Sequence, residues 1–164
     1  MALPTETTGF TFGWSPNDFV QNFVCYGGDA RGGADKGANE GKLSILEGDV
    51  VCLYTSTFRA VQPYDGDAGT TTPMIGVALA DAKLGELVPV ACGPIVKCLV
   101  GTTTVTVGNK VGISEVAGED GAIIPVTPTG GGTLTAMLGI ALATGQVDDI
   151  IPVLMKGPGF CYTG

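Results

Sequence analysis

Apolar positions along this chain fall into short runs that Gly, Pro and Asp interrupt, and this pattern predicts β-strands joined by turns. The runs at 50–54, 87–90 and 95–107 show it most clearly, because they combine Val, Ile, Leu and Thr with few charges. β-Branched residues of this kind favour pleated strands. Pro89 and Pro152 fall inside such runs, where proline indicates an edge strand or a bulge. Most of the chain is therefore predicted to be all-β.

One β-unit occurs twice in the sequence. MIGVALA at 74–80 returns as MLGIALA at 137–143, which is 63 residues later. Over the 21 residues that begin at each of these places, seven are identical, and most of the others exchange one apolar residue for another. Gly76 and its counterpart Gly139 are predicted to place a bulge or to admit a neighbouring backbone.

The repeat extends upstream, where GDVV at 48–51 resembles GNKV at 108–111. The sequence therefore predicts two copies of one unit, at about 48–94 and 108–158. Two such copies could close a small barrel or form a two-sheet sandwich. Two repeats are too few for a solenoid.

The N-terminal segment, residues 1–26, is rich in aromatic side chains and is interrupted by Gly and Pro. It holds six of the eleven aromatic residues of the chain, including the single Trp. We interpret it in two ways: the rings pack back onto their own domain, or the segment is an extended arm that lies across a neighbouring subunit. The candidate capsid or subunit contacts are Phe10, Phe12, Trp14, Phe19, Phe23 and Tyr26.

A polar, Gly-dense stretch at 27–42 follows the aromatic segment and is typical of a flexible loop. It does not match the phosphate-binding pattern G-x-x-x-x-G-K-[ST], because Leu43 follows the Gly-Lys pair. The predicted domain organisation is an N-terminal arm and loop at 1–42, followed by a β-module at 43–164 that contains the repeat.

Composition and charge narrow the classes of partner. Apolar residues make up 45% of the chain and charged residues only 15%, so a weakly charged surface with exposed apolar area is expected to meet another protein. The net charge is −8 and no cluster of Lys or Arg offsets it. This charge excludes nucleic acid as a direct ligand and disfavours an anionic membrane surface.

The cysteines and the first residues indicate a protein that is made in a cytoplasm. Five cysteines cannot all pair within one chain, and no Cys-x-x-Cys motif is present. We expect free structural thiols, with one disulfide or an intersubunit bond as the alternative. The start of the chain lacks the basic and apolar regions of a signal peptide. The uncharged stretch at 121–147 contains several Pro and Gly residues, which argues against a membrane span.

The sequence contains no histidine, which removes Ser-His-Asp triads, Cys-His dyads and HExxH zinc sites. Paired carboxylates occur at Asp65 and Asp67, at Glu119 and Asp120, and at Asp148 and Asp149. We interpret these pairs as solvated turn residues, and a calcium loop or a carboxylate-pair enzyme is the alternative. The prediction is therefore a non-enzymatic protein with no cofactor and no metal.

The repeat also carries a resemblance to a known family. GDVV at 48–51, GVALA at 76–80 and GELVPV at 85–90 resemble the capsid decoration (cement) proteins of tailed phages, whose pattern reads roughly G-D-x-V, G-V-A-L and G-E-x-V-x-V. The resemblance covers about 43–158. The second copy departs from the pattern, with Thr144 in place of an acidic residue.

This resemblance implies a small β-rich protein, often a homotrimer, that sits on the outer surface of a phage head. Its partner would be the major capsid protein, bound where capsid subunits meet, and it would stabilise the shell against internal DNA pressure. The expected location is the virion, after synthesis in the host cytoplasm. The alternative is a phage tail or spike module with a carbohydrate-binding role.

Overall fold

The computed structural model describes residues 20–26, 43–54, 58–64, 74–114, 116, 119–126, 135–155 and 161–162. In these ranges every regular element is a β-strand, which confirms the predicted all-β fold. The strands are β1 (Val20–Cys25), β2 (Leu43–Ile45), β3 (Val50–Leu53), β4 (Ala60–Pro63), β5 (Met74–Ala78), β6 (Ala82–Lys83), β7 (Leu87–Ala91), β8 (Ile95–Leu99), β9 (Lys110–Ile113), β10 (Ile123–Pro125), β11 (Thr135–Ala141), β12 (Ile150–Met155) and β13 (Cys161–Tyr162).

The first unit is a closed barrel of five strands in the order β1-β4-β3-β5-β7, with β7 returning to β1. Its pairs are antiparallel except for β1 and β4, which run parallel. β2 and β6 form a small sheet of their own. A barrel of so few strands has room inside only for its own side chains. The core cluster of the first unit consists of Cys25, Ile45, Val51, Val61, Ala78, Ala82, Val88 and Val90, of which Ile45 and Ala82 come from the small sheet.

The second unit arranges its strands in the order β10-β9-β11-β12-β8, and β13 pairs with the start of β11. A parallel bridge between Val100 and Ile123 brings the end of β8 beside β10. The strands therefore follow the same circular order as in the first unit. β8, β9, β10, β11 and β12 correspond to β1, β3, β4, β5 and β7.

Backbone hydrogen bonds recur at equivalent positions of the two units. The N–H of Gly48 donates to the carbonyl oxygen of Ala78 over 2.9 Å, and the N–H of Gly108 donates to that of Ala141 over 2.8 Å. Both glycines have a positive φ, 91° at Gly48 and 86° at Gly108. The chain thus contains one topology twice, down to the conformation of its turns.

The unit seen in the structure begins one strand earlier than the copies at 48–94 and 108–158 that the sequence predicts. β1 lies inside the predicted arm, and β8 lies between the end of one predicted copy and the start of the next. The two strands, VQNFVC and IVKCL, have little sequence in common, so the repeat could not be traced through them. The first barrel needs β1, because β4 and β7 would otherwise present unpaired edges.

Gly76 and Gly139 occupy equivalent places and have the role that the sequence predicts. The pairing of β3 with β5 shifts register beside Gly76, and the pairing of β9 with β11 shifts beside Gly139. A Cβ on Gly76 would overlap the carbonyl oxygen of Ala91, and one on Gly139 would overlap that of Leu154. Glycine therefore lets the next strand cross close enough to curl the sheet into a narrow barrel.

The expectation that Pro89 and Pro152 mark edges or bulges is wrong. Pro89 lies in β7, which pairs with β1 and β5, and Pro152 lies in β12, which pairs with β11 and β8. The carbonyl oxygens of these prolines accept hydrogen bonds from Leu79 and Leu142, just past the ends of β5 and β11. In an antiparallel pair a residue directs its N–H and C=O to the same neighbour. The N–H that proline lacks would therefore point to β5 or β11 just past the end of that strand, where no ladder hydrogen bond is lost.

The two units pack together through apolar side chains and through backbone hydrogen bonds. One core cluster joins Val50 and Val77 of the first unit to the interior of the second. The N–H of Leu99 donates to the carbonyl oxygen of Gly48 over 2.9 Å, and the N–H of Val50 donates to that of Gly121 over 2.8 Å. A Cβ on Gly48 or Gly121 would press on the opposite unit, so both positions need glycine.

The four cysteines whose side chains the structure describes predict an order of chemical reactivity. Cys25, Cys52 and Cys98 are buried, Cys92 is exposed, and all four are free thiols. Burial raises the pKa of Cys25 to about 11 and also raises the pKa of Cys98. Burial also raises the pKa of Cys92, but its thiol is exposed to the reagent whereas the other three are buried, so we expect iodoacetamide near pH 8 to modify Cys92 well before the other three, as followed by peptide mass mapping.

The control for this labelling is the same reaction in guanidinium chloride, where all five cysteines of the chain should react at similar rates. Equal rates in the native protein would contradict the burial described above. The raised pKa of Cys25 also gives a pH dependence with a definite sign. Its contribution to stability is complete below the ordinary thiol pKa of about 8.5 and is lost as the pH rises toward 11.

Candidate protein-binding surface

Polar side chains of the described residues close turns and do not gather into a cluster. Nowhere among those residues do three or more Cys, Asp or Glu meet in a way that could hold a metal ion. The carboxylate of Asp149 accepts a 2.8 Å hydrogen bond from the N–H of Gln146, and that of Glu86 accepts one of the same length from Lys83. These two bonds close equivalent turns of the two units, so Asp149 has the turn role that the sequence predicts.

No helix in the part of the chain that the structure describes has the length and hydropathy needed to cross a membrane. Three aromatic residues instead mark one end of the first barrel: Tyr26 and Phe58 are exposed, and Tyr54 is half-buried. The rings of Tyr26 and Tyr54 stack with their centroids 4.3 Å apart and their planes at 36°. Phe58, in the same connection between β3 and β4 as Tyr54, exposes 89% of its surface. We call Tyr26, Tyr54 and Phe58 the aromatic surface.

The backbone of β4 fixes the positions of the two stacked rings. The N–H of Tyr26 donates to the carbonyl oxygen of Val61 over 3.0 Å, and the N–H of Tyr54 donates to that of Ala60 over 2.8 Å. Both tyrosines therefore flank the first residues of one strand, which brings their side chains to the same end of the barrel. Tyr26 still exposes 43% of its surface.

The second unit lacks rings at the equivalent positions. Gly101 and Ser114 make the same backbone hydrogen bonds to residues 122 and 123 that Tyr26 and Tyr54 make to β4. The carboxylate of Glu119 fills the space, accepting a 2.8 Å hydrogen bond from the hydroxyl of Ser114. The fold therefore does not require aromatic residues at this end of a unit. Exposed rings that the fold does not need point to a binding role.

A groove of about 410 Å³ lies on the outside of β1 and β7 and reaches the turn that follows Phe58. Leu87 exposes 68% of its surface there and forms an apolar wall together with two half-buried valines. No carboxylate within the described residues forms an ion pair with Arg59, whose guanidinium is exposed. The residues that line the groove are Val20, Gln21, Asn22, Val24, Arg59 and Leu87.

The structure describes two of the six aromatic residues that the sequence singles out. Phe23 is half-buried and packs against the core of the first barrel, whereas Tyr26 is exposed. Tyr54, Phe58 and Arg59 were not predicted, and a Phe-Arg pair within an otherwise polar connection is the one local signal for them. The remaining candidates, Phe10, Phe12, Trp14 and Phe19, lie outside the described residues, as do the acidic residues Asp65 and Asp67.

No protein-family model matches the chain, and no curated protein matches it. Among solved structures it is similar to the head fiber gp8.5 N base of bacteriophage phi29, with a TM-score of 0.54. The two share 13% sequence identity over 84% of this chain and 94% of that one. The likeness shows a common fold with that protein, and this chain is an all-β protein of two units.

Proposed function

We propose that the protein is a capsid decoration (cement) protein of a phage head. It binds the outer surface of the shell, as a homotrimer, where subunits of the major capsid protein meet. The observation that carries this proposal is the aromatic surface, which one unit of a duplicated fold has and the other lacks. The fold shared with a head fiber base supports it.

The physical basis is the area that must be uncovered before capsid subunits can separate. Packaged DNA pushes the shell outward, and a protein that bridges several subunits adds interface that resists this movement. A specific protein interface buries about 1,600 Å² in total, and Tyr and Arg dominate the binding free energy of many interfaces. Repeated over many sites on a shell, modest binding at each site raises the free energy of rupture.

Undecorated phage heads provide the test. Purified protein is expected to co-sediment with them at a saturating, fixed ratio to the capsid subunits. It should also raise the temperature at which the heads release DNA, as followed by the fluorescence of an intercalating dye. Phe58→Ser should weaken this binding by about tenfold, because the exposed ring is available to enter a pocket of the partner.

Val147→Ser is the matched control for Phe58→Ser, since Val147 is an exposed apolar residue in a turn of the second unit. It should leave binding unchanged. Absence of saturable binding by the unaltered protein at micromolar concentration would overturn the proposed function. Equal losses for the two variants would show that general surface hydropathy, and not the aromatic surface, drives the association.

The groove favours a second candidate function, that of a tail or spike module that binds carbohydrate. Gln21 and Asn22 offer amide donors and acceptors that suit sugar hydroxyls, and the exposed Phe58 directly precedes Arg59 in the chain. Selective, saturable hits on a glycan array that Phe58→Ser removes would favour this function over binding to the capsid.

A further inference from the structure

The groove on the first unit has an exact counterpart position on the second unit. Val24 pairs with Leu87 between β1 and β7, and Leu99 pairs with Ile150 between β8 and β12. Leu99 and Ile150 therefore take the places of Val24 and Leu87. By its position before β10, Gly121 takes the place that Arg59 has before β4.

That counterpart position is already occupied by polypeptide. Residues 48–50 of the first unit lie against Leu99 and Gly121, with the two interunit backbone hydrogen bonds described above, of 2.9 and 2.8 Å. The side chain of Asp49, itself buried, lies where a Cβ on Gly121 would be, within 2.8 Å. The same surface of this fold thus serves as a receptor for a β-turn within the chain.

On the first unit the equivalent surface is open. Val24 is half-buried, while Arg59 and Leu87 are exposed. The N–H of Val24 donates to the carbonyl oxygen of Arg59 over 2.8 Å, so the backbone groups that hold the turn in the second unit are already joined here. A turn bound at the open surface would be held by side chains: the guanidinium of Arg59 and the apolar wall of Leu87.

A second copy of this chain is a poor occupant. Its own turn at 108–110 is the equivalent of 48–50, and it places Lys110 where the first unit has Val50. Docking in the same way would bring Lys110 to Arg59, two positive charges at close range. The groove therefore suits a different protein, one that brings a carboxylate to Arg59.

We propose that the groove of Val20, Gln21, Asn22, Val24, Arg59 and Leu87 binds a β-turn of the major capsid protein that presents a carboxylate to Arg59 and an apolar side chain to Leu87. This inference rests on the proposed function for the identity of the partner. An arginine pairs with a carboxylate through two parallel N–H donors, which fixes orientation as well as affinity. Phe58 of the aromatic surface directly precedes Arg59 in the chain.

The test compares Arg59→Glu and Leu87→Asp with Lys97→Glu in co-sedimentation with undecorated heads. Lys97 is exposed on β8 at the equivalent of Asn22, so its reversal makes the same change in net charge on the second unit. Arg59→Glu and Leu87→Asp are each expected to weaken binding by about tenfold or more, and Lys97→Glu by less than about twofold. Circular dichroism and the thermal midpoint verify that each variant is folded.

The outcomes separate this inference from the proposed function. If the unaltered protein binds heads and the groove variants bind equally well, the groove inference is overturned and the capsid function stands. If the unaltered protein does not bind heads, the proposed function is overturned, and the inference that the groove binds the major capsid protein is overturned with it. A lower oligomer mass for Arg59→Glu in solution would assign the groove to a contact between copies, and a glycan hit that this variant removes would assign it to sugar. Either result overturns the inference.

Discussion

Gly139→Ala is expected to destabilise the protein by about 3 kcal/mol or more, measured as a lower midpoint of urea unfolding. The added methyl group would overlap the carbonyl oxygen of Leu154 and would lie 3.0 Å from a methyl carbon of Val153. Both neighbours belong to β12, which is held on its other side by β8. Relief of the overlap would therefore move a whole strand, and Gly76→Ala should behave alike in the first barrel.

Gly108→Ala is the matched control for this prediction. Gly108 has a φ of 86°, and the place where its Cβ would stand has no atom within 4 Å. Alanine there suffers only the strain of the left-handed conformation, about 1–2 kcal/mol. If Gly139→Ala lost no more stability than Gly108→Ala, β12 would be able to shift at little cost, and the close crossing of strands would not be a requirement of the fold.

Gly48→Ala is expected to have the second largest effect, and its cause lies between the two units. Gly48 and Gly108 share their place in the fold and nearly the same φ, so the backbone strain of alanine is matched. The difference is that a Cβ on Gly48 would lie 2.8 Å from the backbone nitrogen of Leu99, whereas a Cβ on Gly108 would meet no atom. We expect Gly48→Ala to lose about 2 kcal/mol more than Gly108→Ala.

Hydrogen exchange distinguishes this effect from a general loss of stability. The amides of Leu99 and Val50 bond across the junction, and their exchange should accelerate more than that of Ala141, whose bond lies within the second unit. Equal losses of stability for Gly48→Ala and Gly108→Ala would mean that the junction yields easily. The packing of the two units would then contribute little to the stability of the whole.

The strands of this fold were predictable where the sequence repeats itself. β5 and β11 carry the MIGVALA motif and its copy, and their glycines mark the bulges. β1 and β8 were not recognised as equivalent, because they share only apolar character. Many different apolar side chains can pack at these positions, so the two sequences need not match. The prediction for Pro89 was wrong for a different reason. Proline is disfavoured in a paired strand because it lacks a backbone N–H, but β5 ends at the place where that N–H would be needed.

The binding surface was harder to predict than the fold. Tyr26 was among the expected contacts, but its neighbour Tyr54 ends an apolar run that reads as core. Whether such a ring is buried depends on where the barrel closes, and the parallel contact of β1 with β4 decides that. Phe23 shows the converse, since strand alternation turns it to the core side while Tyr26, three residues on, stays outside.

The first barrel is complete at Ala91, and only three residues connect it to β8. Ribosomes add about 5–20 residues per second, so this barrel can close while the strands that will cover it are still being made. During that interval Val50, fully buried in the finished protein, faces water beside a carbonyl oxygen that awaits Leu99. The nascent chain therefore exposes an apolar surface for a time. Because the second unit is tethered to the first, its effective concentration is high, and it covers this surface in preference to another chain.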